Sequence, residues 1–258
     1  MNSTKKHAAL IIAMIMAFTV IPGVMMADTA SAATKLSKPK LTNYAASSTS
    51  IKNTWKKVKG AKGYEVYRAT KEKGKYKKVK TIKSGKTVSW TNKKLKKNKE
   101  YFYKVRAYKT VNGKKKYSKY SNTEWAVPTN EPNWAYYISN KKQTTDKIKL
   151  SITNKSRYNM SFTTEGAFFK DENALLAIGS LTEEQMDNLD ELAAVGLYEA
   201  VTSNKTIKPG KTATLTYKID RKVSYSAKSI LAGLFKYNKK LYCLYAGWDL
   251  GSDCERLQ

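Results

Sequence analysis

The segment Tyr101-Phe102-Tyr103-Lys104-Val105-Arg106-Ala107-Tyr108 alternates strictly. Tyr101, Tyr103, Val105 and Ala107 fall on one phase, and Phe102, Lys104, Arg106 and Tyr108 on the other. A period of two sends successive side chains to opposite faces of a strand, so the segment predicts a strand with one buried and one outward face. Similar runs recur from Pro39 to Pro128, separated by Lys, Gly, Asn and Ser turns. Ile51, Asn53 and Trp55 share a face. Gly63-Tyr64-Glu65-Val66-Tyr67-Arg68 sets Tyr64 and Val66 inward and Glu65 and Tyr67 outward. Tyr76 to Ile82 and Thr87 to Trp90 continue the series, and no helix-period segment interrupts it. Such strands bury their apolar phase by packing sheet on sheet, which predicts an antiparallel β-sandwich.

Three features occur in a set order here: Trp55, then Tyr64-x-Val66-Tyr67, then Leu95 followed six residues later by Tyr101-x-Tyr103-x-Val105-x-Ala107. With them, residues 37–129 resemble a fibronectin type III domain. Leu95 and Tyr101 match that family's tyrosine corner, in which a phenol bonds backbone at a strand bend. Gly63 to Arg68 together with Lys75-Tyr76-Lys77-Lys78-Val79 is similar to the version found in secreted bacterial proteins. The resemblance implies a modular, extracellular, non-catalytic role. It implies no integrin binding, because the chain has no Arg-Gly-Asp.

Pro128-Thr129-Asn130-Glu131-Pro132-Asn133 reads as a short linker, centred on 130–133, into a second domain over 134–258. Ile148, Leu150 and Ile152 alternate with Lys147, Lys149, Ser151 and Thr153, the pattern of a half-buried strand. Further strands are expected at 134–138, 159–162 and 212–219, and a hairpin is expected over 229–246 through Asn238-Lys239. Between them, 181–201 predicts an amphipathic helix. Ser180 and Glu183 form a capping box, Met186, Leu189, Ala193 and Leu197 make one stripe, and Glu183, Glu184, Asp187, Asp190 and Glu191 crowd the other face. That acidic face is either solvated or an electrostatic dock for the basic first domain or a protein partner. The Asn-Lys-Ser turn and Ile207-Lys208-Pro209-Gly210-Lys211 loosely resemble immunoglobulin-like accessory domains of bacterial surface proteins. The expected fold class is all-β: a fibronectin type III sandwich, then a second sandwich-like domain with one inserted helix.

Charge divides the two domains sharply. Residues 35–129 carry 29 Lys and Arg against four acids, whereas residues 130–258 carry 18 against 15. A field so concentrated concerns partners rather than fold. Either the first domain meets a polyanion, or its lysines only make a soluble surface. The candidate contacts are Tyr67, Phe102, Lys104, Arg106 and Tyr108 on the outward phase, with Lys96, Lys97, Lys114, Lys115 and Lys116 in loops. The partner expected is an anionic wall or matrix polymer, with no specific nucleic acid.

Lys5-Lys6, an apolar run from Ala8 to Met26 and Ala30-Ser31-Ala32 together read as a secretory signal peptide over 1–32. The alternative is an uncleaved anchor. The first cysteine is Cys243, so there is no lipobox, and no sorting signal of the LPxTG type ends the chain. The expectation is a secreted, extracellular protein of Gram-positive type, without a transmembrane anchor after cleavage, either released or held non-covalently at the wall. Its only histidine, His7, lies in the leader, which argues against histidine-based triads and metal sites. Cys243 and Cys254 could pair in an oxidising compartment or remain two thiols. Glu165, Asp171 and Glu172 beside Phe168-Phe169 are the best acidic cluster, but they lack calcium-loop spacing, and sequence sets no distance between them. No cofactor motif is present. The expectation is a non-catalytic binding or adhesion protein; a spacer without its own ligand is the alternative, and a glycan-active enzyme the third reading.

Overall fold

A computed structural model describes residues 35–131, 135–170, 173–174, 182, 193–194, 196–223, 226, 229–247 and, as backbone, 252–256. The expected leader, Trp134, Asp171, Glu172 and the acidic stretch 183–191 lie outside the described residues. Among the described residues every strand pairing is antiparallel.

Residues 36–127 fold into two facing sheets. One contains β1 (Leu41–Ser47), β2 (Ser50–Trp55) and β5 (Ser89–Asn92), in that order. The other runs β4 (Lys77–Ile82), β3 (Gly63–Ala69), β6 (Tyr101–Val111) and β7 (Lys114–Tyr117), with β8 (Glu124–Ala126) on the first residues of β6. The inward phase read from sequence forms the core. Ile51, Trp55, Tyr64, Val66, Tyr103, Val105 and Ala107 are all buried, and the Trp55 and Tyr64 rings pack tilted at 5.3 Å. At the expected corner, the Lys96 N–H donates to the Tyr101 phenol at 3.1 Å, and Leu95 is buried beside it.

The β6–β7 hairpin turns through Asn112 and Gly113, both at positive φ, the type I′ geometry that matches strand twist. After Tyr117 the last strand leaves the ladder and rejoins at Glu124. Two serines bridge the gap: the Ala107 N–H donates to the Ser118 hydroxyl at 2.9 Å, and the Val105 N–H to that of Ser121 at 3.0 Å. Asn122 then clamps the facing sheet, accepting from the Leu41 N–H and donating to the Leu41 carbonyl, both at 3.0 Å. Tyr117, opposite Tyr108 at the end of β7, and Tyr120 on the detour are 39% and 41% exposed.

The second domain contains β9 (Tyr136–Thr144), β10 (Lys147–Asn154), β11 (Met160–Phe169), β12 (Leu197–Val201), β13 (Lys205–Ile207), β14 (Thr212–Ile219), β15 (Ile230–Tyr237), β16 (Lys240–Gly247) and β17 (Ser252–Arg256). They form one folded-over sheet, ordered β17-β16-β15-β11-β12-β14-β10-β9, with β13 on β11. Its core includes Ile148, Leu150, Ile152, Phe168, Leu215, Tyr217 and Phe235. Asn238 and Lys239, both at positive φ, make the expected hairpin turn between β15 and β16.

Most of the helix expected over 181–201 lies outside the described residues, and its C-terminal end needs correction. Residues 193–194 have helical backbone, but Gly196 at φ 82° stops it, with its N–H donating to the Ala193 carbonyl at 3.0 Å. Leu197 is therefore not on a helical stripe. It opens β12, which pairs with β11 and β14 and buries Ala200 in the core. Gly196 is a helix stop, and the Tyr198 to Val201 segment after it suits a strand.

The two sandwiches meet through a buried polar joint. Lys155, only 4% exposed at its side chain, bonds Glu124 at 2.6 Å and Asn43 at 3.4 Å, and its carbonyl accepts from the Ala45 N–H at 2.7 Å.

Candidate anion-binding face

The outward phase of β3 and β6 builds the site. Register places Glu65 opposite Arg106, Tyr67 opposite Lys104 and Gly63 opposite Tyr108. The Glu65 side chain is completely buried, although it lies on the outer face of the sheet. Its Oε2 accepts from Arg106 Nη2 at 2.8 Å, Arg106 Nε at 3.2 Å and the Tyr67 hydroxyl at 2.8 Å. Its Oε1 accepts from Lys78, Lys115 and the Tyr117 hydroxyl, each at 3.4 Å. Burial pushes this carboxyl upward, but the bonds from Arg106 and Tyr67 and the charges of Arg106 and Lys78 outweigh it and bring the pKa down to about 2. Burial first, then the bond to Glu65, raises the Tyr67 phenol.

Aromatic rings wall in the cation. The Arg106 guanidinium lies 3.7 Å from the Tyr117 ring centroid, 5.1 Å from Tyr67 and 5.3 Å from Tyr120. Tyr67 and Tyr120 meet edge to face at 5.2 Å. Lys104 sits over the Tyr76 ring at 4.3 Å, and Lys115 over Tyr108 at 4.4 Å. A guanidinium is weakly hydrated and planar, which suits stacking among phenols. The result is a plate of interleaved tyrosines and cations, with three cations gathered on a single carboxylate.

The candidate contacts take different places on this plate. Tyr67, Lys104 and Arg106 come together as the alternation implied, with Arg106 23% exposed at its side chain. Phe102 and Tyr108 are on the outward phase but buried. Tyr108 lies flat across Gly63, where an added Cβ would fall 2.6 Å from its hydroxyl, and packs on Tyr117. Lys115 joins the plate, with its neighbours Lys114 and Lys116 exposed on β7. Lys96 and Lys97 lie apart, exposed at the tyrosine corner, with Lys97 3.5 Å from Glu131. Sequence reading missed Glu65 as the organising group, and it missed Tyr117 and Tyr120. The signal for Glu65 was one acid on an outward phase surrounded by bases.

Elsewhere, Cys243 registers with Glu255 and Cys254 with Leu244, so the cysteines fall on alternate phases of neighbouring strands. Glu165 is exposed, where the β11–β15 register slips between Phe162 and Gly166. Among the described residues no three His, Cys, Asp or Glu side chains gather as a metal site, and no helix is long and apolar enough to cross a membrane.

No family model and no curated protein matches the chain. Among solved structures it is similar to FN3tt, at 20% identity over 36% of this chain and 94% of that one, with a TM-score of 0.29. It is also similar to an Fn3-like protein from Clostridium thermocellum, at 25% identity over 35% of this chain and 86% of that one (TM-score 0.28). A third is the fibronectin type III domain of the human KIAA0970 protein, at 23% identity over 43% and 86% (TM-score 0.29). The strand order β1-β2-β5 facing β4-β3-β6-β7, together with the Tyr101 corner, settles the fold. The first sandwich is of fibronectin type III type.

Proposed function

We propose that this protein is a secreted, non-catalytic binding module that attaches to an anionic wall or matrix polymer through the outer face of its first sandwich. The observation that carries this reading is the plate around Glu65. Three cations converge on one buried carboxylate, so the face stays positive after its internal pairing. Exposed Lys119 follows β7 beside Tyr120, while exposed Lys77 and Lys80 of β4 and Lys114 and Lys116 of β7 register on the opposite phase and carry the same sign along the two edges of the sheet. Phenol rings among these charges add flat surface for sugar or alkyl carbons, and the cations attract phosphate or carboxylate from a distance. The leader-like first 32 residues support an extracellular setting. Sedimentation of the mature protein with purified Gram-positive wall sacculi, with and without their anionic polymers, tests the proposal. Loss of binding on polymer removal supports it; equal binding to stripped wall overturns it.

The spacer reading has an observation of its own: the Lys155–Glu124–Asn43 joint ties the two sandwiches through buried polar groups. A tethered pair of domains suits a rigid presenter. That reading wins if neither stripped nor intact wall retains the protein.

A further inference from the structure

The joint between the sandwiches borders a cleft of about 410 Å³ that differs in character from the basic plate. Its floor belongs to the second domain. Register aligns Tyr137 of β9 with Thr153 of β10, and Thr153 with Thr212 of β14, a cross-strand row in which every member carries a hydroxyl. The Thr153 and Thr212 hydroxyls lie 2.7 Å apart. Each hydroxyl has one donor and two acceptor positions, so their mutual bond leaves a donor and several lone pairs for a ligand. Ser139, exposed beside them, adds another hydroxyl.

The wall is aromatic and shared between domains. Trp125 of β8 meets Tyr137 edge to face at 5.9 Å, and Tyr137 is 45% exposed. The charges cancel: Lys155 is tied to Glu124, and the exposed rim residues Lys40 and Glu72 are of opposite sign. A polyanion therefore gains little here, unlike on the plate. A purely apolar ligand would strip water from the remaining donor and lone pairs of the hydroxyl row and leave them unpaired. A ligand with hydroxyls on its edges and C–H bonds on its faces satisfies both surfaces. The volume lies in the range of small-ligand sites, roughly 300–1,000 Å³.

We infer that this inter-domain cleft is a second binding site, for a neutral carbohydrate, in which one sugar face packs on the exposed Tyr137 ring beside Trp125 and its hydroxyls bond the Thr153–Thr212 row. The site is independent of the anionic-polymer reading and rests on different residues.

The test is titration of the full mature chain with hexamers of β-1,4-linked glucose and of N-acetylglucosamine, followed by tryptophan fluorescence and calorimetry. Binding is expected to at least one hexamer, and to persist at about 0.5 M NaCl, because neutral contacts are not screened. Tyr137→Ala should weaken it by about 10-fold, the scale of one lost aromatic contact. Thr153→Val with Thr212→Val should do likewise while keeping side-chain volume. Both variants alter exposed or half-exposed side chains, and unchanged thermal melting will show that they fold. Changing Lys96, Lys97, Lys114, Lys115 and Lys116 together to Gln should leave hexamer binding intact, which separates this site from the basic face. No response to either hexamer at about 10 mM, or undiminished affinity in Tyr137→Ala, overturns the inference and leaves the cleft as a seam between domains.

Discussion

Replacing Glu65 by Gln removes one charge from the centre of the plate and changes almost no volume. The carboxylate is completely buried, whereas its partners Arg106, Lys78 and Lys115 are 23%, 49% and 41% exposed. Breaking a fully buried ion pair costs about 3–5 kcal/mol, but cations that still touch water recover part of that, so about 2–3 kcal/mol is expected at pH 7. Proton linkage on the same contacts gives a figure of similar size. A pKa lowered from 4.5 to about 2 corresponds to about 3 kcal/mol at about 1.36 kcal/mol per pH unit. Because the folded-state value is the lower one, this stability is fully present above pH 4.5 and is lost as pH falls toward 2. Wild type and Glu65→Gln should therefore differ by about 2–3 kcal/mol at pH 7 and converge near pH 2. Urea unfolding followed by tryptophan fluorescence at pH 7, 4 and 2.5 reads both effects. A difference below about 0.5 kcal/mol at pH 7, with parallel acid slopes, would refute the account of Glu65 as the anchor.

Trp55→Ala should cost about 3–5 kcal/mol, the range for deleting a buried large aromatic, and a loss below about 1 kcal/mol would remove Trp55 from the core. Tyr101→Phe should cost about 1 kcal/mol by leaving the Lys96 N–H without its phenol acceptor, with calorimetric melting as the readout. Gly63→Ala should destabilise by at least about 2 kcal/mol, because the new methyl runs into the Ile82 carbonyl and the Tyr108 ring; an unchanged melting temperature would contradict that packing.

The first sandwich was legible because alternation reports directly on burial. Every inward residue assigned from the Tyr101 to Tyr108 pattern is in the core, and the Leu95–Tyr101 spacing located a hydrogen bond. Outward phase proved a weaker guide to exposure. Phe102 and Tyr108 obey the alternation yet are buried, since residues from neighbouring strands roof them over, and a period of two cannot register that. Glu65 shows the same gap in its polar form, as an outward acid sealed by side chains that arrive from β4, β6 and β7. The Ser118–Ser121 detour was hidden because serine hydroxyls stand in for ladder bonds without any change in composition. In the second domain, the capping box and charged stripe drew the expected helix past Gly196. The pairing of β12 with two distant strands, β11 and β14, is a tertiary fact that no local pattern carries.

The measurement that bears most directly on the account is the salt dependence of polyanion binding by the mature chain. Affinity for heparin and for purified wall teichoic acid would be titrated from about 0.05 to 0.5 M NaCl, with wild type beside the variant in which Lys96, Lys97, Lys114, Lys115 and Lys116 are Gln. Counterion release predicts a straight, steeply negative slope of log affinity on log salt for wild type, with a loss of about 100-fold or more across that range. The variant should bind more weakly at low salt with a shallower slope, while staying folded and melting slightly lower, because Lys115 no longer pairs with Glu65. Absence of affinity at low salt, or affinity indifferent to salt, would contradict the claim that the basic face of the first sandwich is a binding surface.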